Sequence, residues 1–233
     1  MATPSDDKIL KIWNITDYKL VKTLNMKIVI DSDKNTFVTL SDDLLAGAGA
    51  RDSAYQSIIL IWNLTNYELV KEIGFKDKQI VSVTSLIYEY LVIGLNDNSI
   101  NIININDYSL INQIQLESIP LEFAFLPNED LVAITSNGNI YVFDLINNQI
   151  KTNFSTEITN IQSLEVINDK YIAVGQTGYL RIYDLFNQKI AIKKEFDRIS
   201  SIKYIKNGDY LVNTNSENAK NIIVWKIFFE NIQ

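Results

Sequence analysis

Residues 57–63 read SIILIWN, and the same phrase returns along the chain as KILKIWN at 8–14, SINIINI at 99–105, GNIYVFD at 138–144, GYLRIYD at 178–184 and NIIVWKI at 221–227. The anchors are Trp13, Trp62, Ile103, Phe143, Tyr183 and Trp225, spaced 49, 41, 40, 40 and 42 residues apart. A period near forty residues, built from short apolar segments, is the pattern of a sheet repeated around an axis. It predicts an all-β propeller of four-stranded antiparallel blades. A propeller is a platform for many functions, so the repeat says little about chemistry.

The unit is cleanest over residues 79–114. Strands are read at 79–86, 90–95, 99–104 and 108–114, separated by short polar turns such as Asn96-Asp97-Asn98. Two further sets follow, at 119–126, 130–136, 139–144 and 149–154, then at 158–166, 170–175, 179–184 and 189–196. Labelled a to d from the axis outward, the b and c strands are near-continuous apolar runs (LVAIT, YIAVG), as expected for strands buried on both faces. The d strands (YKLVKTL, YELVKEI) alternate, which places them at a rim with one side wet. The unit at 35–73 carries longer loops near 28–34 and 50–56, which account for the spacing of 49.

The whole chain, 1–233, reads as one domain with four complete repeats and a partial blade at each terminus. Residues 2–14 supply the end of a b strand, its turn and a c strand, and 18–24 a d strand. Residues 199–205, 209–215 and 221–227 supply a, b and c, with Phe228–Gln233 as a candidate short d strand. Three closures follow from this count. The chain is a fragment of a six- or seven-bladed ring, an open propeller whose gap a partner fills, or a five-bladed ring with a spare strand.

Composition narrows the function classes. Hydrophobic residues make up 47% of the chain, a level typical of a folded core. The net charge of −7 lacks the Lys and Arg excess that sequence-independent nucleic-acid binding needs. The one basic-rich stretch, Lys8, Lys11, Lys19, Lys22 and Lys27, reads as a solvated outer face. There is no Cys and no His. A disulfide framework and a thiolate metal site are excluded, and the usual general base and zinc ligand are missing. No apolar run reaches the ~20 residues of a membrane helix, and the N-terminal residues do not read as a signal peptide. The expected location is the cytoplasm, or the nucleus. Sequons at Asn14, Asn63 and Asn153 read as chance in an Asn-rich chain.

The phrase IWN-x-T-x-Y-x-L-V-K at Trp62, nearly repeated at Trp13, resembles the WD-repeat propeller family. The signature dipeptide is Trp-Asn at Trp13 and Trp62, Phe-Asp at Phe143 and Tyr-Asp at Tyr183. The resemblance covers essentially the whole chain and draws its specificity from six phased copies. The family often carries a Gly-His pair before strand a, whose His joins a network with a Ser, the b–c turn Asp and the Trp. Asp97 matches that turn Asp, while Asn137 and Thr177 stand in corresponding turns. With no His, greater reliance on apolar packing between blades is expected.

Candidate chemistry is sparse. Gly47-Ala48-Gly49-Ala50 resembles half of a phosphate loop, but no helical period follows it. The acidic pairs Asp6-Asp7, Asp42-Asp43 and Glu129-Asp130 suit a carboxylate-dependent propeller glycosidase, the leading enzymatic alternative. Two of them sit in a–b turns, where polar residues are ordinary. Tyr18, Tyr67 and Tyr108 begin d strands at equivalent, exposed places, which argues for a repeated structural role. Tyr55 has no counterpart and is a candidate contact.

The best reading is a non-enzymatic scaffold, with no cofactor and no metal, that binds a protein or peptide partner carrying basic residues. By analogy with the family, contacts come from the d–a and b–c loops: Arg51, Asp52, Tyr55, Lys76, Asp77, Lys78, Asn96, Asp97, Glu117, Asn137, Glu157, Gln176, Asp197, Arg198 and Glu217. An assembly subunit whose open blade edge is completed by a partner strand is the other non-enzymatic alternative. Nucleic-acid binding and membrane insertion are not expected.

Overall fold

The computed structural model describes residues 2–5, 8–26, 37–50, 57–86, 88–156, 159–195, 199, 201–206, 209–214 and 222–227. These form six antiparallel sheets in which every strand pairs with its neighbour in sequence. The first holds β1 (Ala2–Ser5), β2 (Ile9–Asn14) and β3 (Lys19–Asn25). The second holds β4 (Phe37–Ser41), β5 (Leu44–Ala50), β6 (Ser57–Asn63) and β7 (Leu69–Phe75). The third holds β8 (Ile80–Leu86), β9 (Tyr90–Leu95), β10 (Ser99–Asn104) and β11 (Leu110–Gln115). The fourth holds β12 (Pro120–Phe125), β13 (Leu131–Thr135), β14 (Asn139–Asp144) and β15 (Gln149–Ser155). The fifth holds β16 (Ile161–Val166), β17 (Tyr171–Gln176), β18 (Tyr179–Asp184) and β19 (Lys189–Glu195). The sixth holds β20 (Ser201–Ile205), β21 (Tyr210–Thr214) and β22 (Ile222–Lys226).

The count is six blades, a correction to four blades with partial ones at the ends. The sequence shows β1 only as the end of a strand, yet it pairs along its length with β2, from Ala2↔Ile12 to Ser5↔Ile9. The first and last sheets are thus three-stranded blades in their own right. The loops at 28–34 and 51–56 and the tail 228–233 lie outside the described residues.

The chain divides into two compact units, Met1–Pro120 and Leu121–Gln233. In the first unit one apolar cluster joins the first and second sheets through Leu10, Leu24 and Met26 against Leu60 and Trp62. A second joins the second and third sheets, with Ile59 and Ile61 facing Leu91 and Ile103. In the second unit Val142 and Ile140 pack on Tyr183 and Leu185, and Leu180 and Ile182 pack near Ile202 and Leu211. Polar links back up this packing. Ser85 Oγ donates to the Thr39 carbonyl at 2.7 Å, and Glu165 accepts from the Tyr204 amide at 3.0 Å. A strand covered by a sheet on each face cannot alternate, because both its faces are core. Accordingly β6, β9, β10 and β13 are buried almost throughout.

Among the described residues every c–d hairpin is built the same way. The residue after the anchor accepts a backbone N–H two or three positions on: Asn14 from Thr16 at 2.8 Å, Asn63 from Thr65 at 2.7 Å, Asn104 from Asn106 at 2.8 Å, Asp144 from Asn147 at 2.9 Å and Asp184 from Phe186 at 3.0 Å. Five residues after the anchor, Tyr18, Tyr67, Tyr108, Asn148 and Gln188 all have φ between 52° and 62°. The register then shifts at the anchor, between Ile12 and Trp13, Ile61 and Trp62, Ile102 and Ile103, Val142 and Phe143, and Ile182 and Tyr183. A bulge of this kind bends a strand and re-aims its side chains. It also breaks the alternation expected of the outer strands. Consecutive Leu20 and Val21 are each about half exposed (47% and 48%), as are Leu69 and Val70.

Candidate functional site

The third sheet shows how loop residues are brought together. Its meander carries the β7–β8 connection (Lys76 to Gln79), the β9–β10 turn (Asn96 to Asn98) and the segment after β11 to one end. There the Asn96 amide donates to the Gln79 carbonyl, and the Gln79 amide donates to Asn96 Oδ1, both at 2.9 Å. Asn98 Nδ2 reaches the Glu117 carbonyl at 3.4 Å, and Gln115 Nε2 donates to the Asp97 carbonyl at 2.9 Å. Asp97 is the hub. Lys78 Nζ lies 2.7 Å from one carboxylate oxygen, and Ser99 Oγ donates to the other at 2.6 Å. Burial works against the Asp97 charge, but the bonds from Lys78 and Ser99 outweigh it and hold the carboxyl below its usual range.

The chain has no His to offer at this turn, where greater reliance on apolar packing was expected. Lys78, from the same a-side loop, supplies the cation, so the sheet end is locked by charge as well as by packing. The pair was not legible in the sequence, because it depends on how two loops are registered across β8 and β9.

Of the predicted contact residues, Lys76, Asp77, Asn96, Asp97, Glu117 and Asn137 are exposed, and Lys78 is half-buried. Asp77 holds a positive φ of 58°, which turns the chain sharply beside Lys78. In the second unit Asn137 closes its own turn, accepting from Thr135 Oγ1 at 2.7 Å and from the Asn139 amide at 3.3 Å. Gln176 is a correction: it is only 8% exposed and accepts from Arg181 Nη1 at 2.8 Å. It supports β18 instead of facing a partner. Arg51, Asp52, Tyr55, Glu157, Asp197, Arg198 and Glu217 lie outside the described residues, as do Asp6 and Asp7.

The described carboxylate pairs are engaged in structure. Asp43 accepts from Thr65 Oγ1 at 3.0 Å, tying two turns of the second sheet. Asp130 is buried and bound by Lys151 Nζ at 2.8 Å to each oxygen, with Asp144 3.4 Å from the same ammonium. The bond to Asp130 raises the Lys151 pKa. Lys151 is the residue skipped by the register shift in β15, and the bulge aims it at Asp130. The pair lines a cavity of about 360 Å³ with Asn128, Asp169, Phe186 and Gln188. Both Asp130 oxygens are thus engaged by one ammonium, and Asn128 Nδ2 also donates to Oδ2 at 2.9 Å. Among the described residues no group of acidic side chains is arranged to hold a metal ion. At Gly47 the half-loop of small residues has a packing role: a Cβ there would come within 2.5 Å of Phe37 and 2.9 Å of Trp62.

The tyrosines divide, which the sequence did not show. Tyr67 and Tyr108 are half-buried against the neighbouring sheet's cluster, not exposed. Lys22 Nζ stands 5.6 Å from the Tyr67 ring, and Lys71 Nζ 5.8 Å from the Tyr108 ring. In the second unit Gln188 and Thr152 make the equivalent link as a hydrogen bond of 2.8 Å. Tyr18 is different, at 85% exposed, and beside it Ile15 is 63% exposed. With Thr3, Trp13 and Asn14 they line an apolar cavity of about 360 Å³. The Trp13 indole N–H donates to Thr3 Oγ1 at 2.7 Å.

No protein-family model matches the chain, and no curated protein matches it either. Solved structures do. The structure of U3-55K superposes with a TM-score of 0.81 at 14% identity, over all of this chain and 75% of that one. The crystal structure of the RRP9 WD40 repeats gives 0.81 and 14%, over all of this chain and 74% of that one. At this identity the likeness is one of fold: the chain is an all-β propeller of antiparallel sheets.

Proposed function

We propose that the chain is a non-enzymatic scaffold that binds protein partners through the loops at its sheet ends. The observation that carries this reading is the interlocked end of the third sheet. Lys78, Asp97, Asn96 and Asn98 fix three connections to one another, which leaves Lys76, Asp77 and Glu117 exposed on a rigid frame. Rigid presentation lowers the ordering cost of binding. The exposed charges leave one net negative, which favours a basic partner. The WD40-repeat character of the structural neighbours supports a protein-contact role. The test is quantitative affinity capture with the full chain and with a K76A/D77N/E117A variant of unchanged thermal stability, Asn being suited to the positive φ at position 77. Partners lost by the variant support the reading, and an identical partner set overturns this face.

A second reading, a subunit completed by a partner strand, is favoured by β22. Ile222 and Val224 are 69% and 56% exposed, whereas Ile59 and Ile61 at the same repeat positions are fully buried. Hydrogen exchange at Ile222–Lys226 that slows when a partner is added supports it. Exchange in the free chain as slow as in β6 removes it.

A further inference from the structure

The second unit departs from the repeat at two places, and both fall at the seam between the fourth and fifth sheets. In the first unit a seam is closed by a lysine nine positions after the anchor of one sheet and a tyrosine five positions after the anchor of the next. Lys22 stands 5.6 Å from the Tyr67 ring, and Lys71 5.8 Å from the Tyr108 ring. Each ring packs on an apolar cluster, one with Leu64 and the other with Ile105, the residues two positions after the anchor. At the seam of the fourth and fifth sheets the lysine and tyrosine places hold Thr152 and Gln188, which bond to each other at 2.8 Å. These shorter side chains border the cavity of about 360 Å³, whose apolar lining is Leu126, Val142, Leu185 and Phe186. Leu185 corresponds to Leu64 and Ile105. The second departure is at the turn tip three positions after the anchor. The first three sheets carry Thr16, Thr65 and Asn106 there, whereas the fourth and fifth carry Ile146 and Phe186, 79% and 70% exposed. The charges of the lining do not balance. Lys151 is engaged by Asp130 and Asp144. Asp169 accepts from the Asn128 amide at 2.9 Å and has no cation beside it among the described residues, its neighbour Lys170 being paired with Asp184.

We propose that this seam is a binding site for a segment of a partner protein that inserts an aromatic side chain next to a Lys or Arg. The ring takes the place over Leu185 that Tyr67 and Tyr108 take in the clusters of Leu64 and Ile105, and the cation meets Asp169. A cavity of roughly 150 Å³ already admits benzene, so this one has room for a phenol ring. Filling it removes the ring and part of Phe186 from water, and two rings in contact gain further by stacking. The cation selects among segments, because a partner carboxylate would face Asp169 instead. The inference rests on the scaffold reading but uses residues of the second unit. The K76A/D77N/E117A variant should leave it intact, so the two can fail separately.

The probes are the peptide acetyl-Gly-Tyr-Lys-Gly-amide and two controls, one with Ala for its Tyr and one with Glu for its Lys. They are titrated into the full chain, and the methyl signals of Leu126, Val142 and Leu185 are followed by NMR. Saturable shifts are expected with the first peptide, and binding at least about tenfold weaker with the Ala control, the loss expected for one buried ring. The Thr152→Lys/Gln188→Tyr double variant should rebuild the first unit's closure and abolish binding. Tyr suits this backbone, because Gln188 has a φ of 52° while Tyr67 and Tyr108 hold 62° and 60°. Phe186→Thr, at an exposed turn tip, should weaken binding several-fold without touching the core. Asp169→Asn keeps an acceptor for the Asn128 amide and should remove the preference for the Lys peptide over the Glu control. The proposal is overturned by any of four results. These are no saturable shift with the unmodified chain, an Ala control that binds as well as the first peptide, a Glu control that does so, or an affinity unchanged by Phe186→Thr, which decides the matter even where the double variant fails to fold. Methyl shifts in the free chain that follow its own concentration would put a second copy at the seam and overturn it too.

Discussion

At the scale of single residues, the glycines mark where sheets touch. A Cβ at Gly175 would lie 2.8 Å from both Ile199 and Ile202, and one at Gly47 would collide with Phe37. A Cβ at Gly74 meets nothing within 4 Å. Gly47→Ala and Gly175→Ala are therefore expected to lose ~1–3 kcal/mol through overpacking. Gly74→Ala should gain ~0.5–1 kcal/mol by restricting the unfolded chain. Urea unfolding of the three variants checks the contrast in sign. Tyr204 gives a second prediction. Its hydroxyl donates to Asp209 Oδ1 at 2.6 Å, and burial followed by that bond pushes its pKa up to about 12. The unfolded value is about 10. The folded state thus favours the protonated phenol. Its stabilisation is fully present below pH 10 and is lost as pH rises through 12. Tyr204→Phe should lower stability below pH 10 and should show a weaker alkaline decline between pH 10 and 12 by circular dichroism.

At the scale of the element, the c–d hairpin is the repeating device, and its determinants are local. Asn63 accepts from two backbone amides, Thr65 at 2.7 Å and Asn66 at 3.2 Å. Asn63→Ala should cost ~1 kcal/mol, the usual net value of such a bond. Asn63→Asp, which keeps the acceptor, should cost much less in the same thermal melt. The strands themselves were largely legible. β9, β10, β14 and β18 were read at their observed limits, because strands buried on both faces give continuous apolar runs bounded by polar turns. The outer strand of the third sheet was read as starting at Tyr108, yet it begins at Leu110, because Tyr108 takes a left-handed conformation. An apolar-looking tyrosine beside a turn carries no mark of its φ. The loop residues were legible by position only. Gln176 was read in the loop after a strand ending at 175, yet it closes β17 and Arg181 draws its side chain inward, which one sequence cannot show.

At the scale of the molecule, charge lies in the joints between strands, and acid should open them. Asp97, Asp144 and Asp184 all have carboxyls held below their usual range. At Asp144 the bonds from Asn147 lead. At Asp184 burial opposes the charge, but Asn187 and then Lys170 outweigh it. A carboxyl whose folded pKa lies below its unfolded value near 3.8 stabilises the fold above that pH. The contribution fades as pH falls through 3.8 towards the folded values. The chain should hold its stability from neutral pH to about pH 4 and then lose it steeply. Asp97→Asn and Asp184→Asn should each flatten that acid limb and lower stability at pH 7, as read by denaturant midpoints across pH 2–7.

The recurring bulge has a bearing on ancestry. At each anchor the backbone path is set by the Asx side chain that follows, by the left-handed residue further on and by the skipped residue in the outer strand. The anchors Trp62, Ile103, Phe143 and Tyr183 are all buried, so four different apolar side chains serve at one position. Duplicated copies built this way can drift at the very letters by which a lineage is recognised while their geometry stays the same. The repeat is then preserved in the hairpins and erased from their spelling.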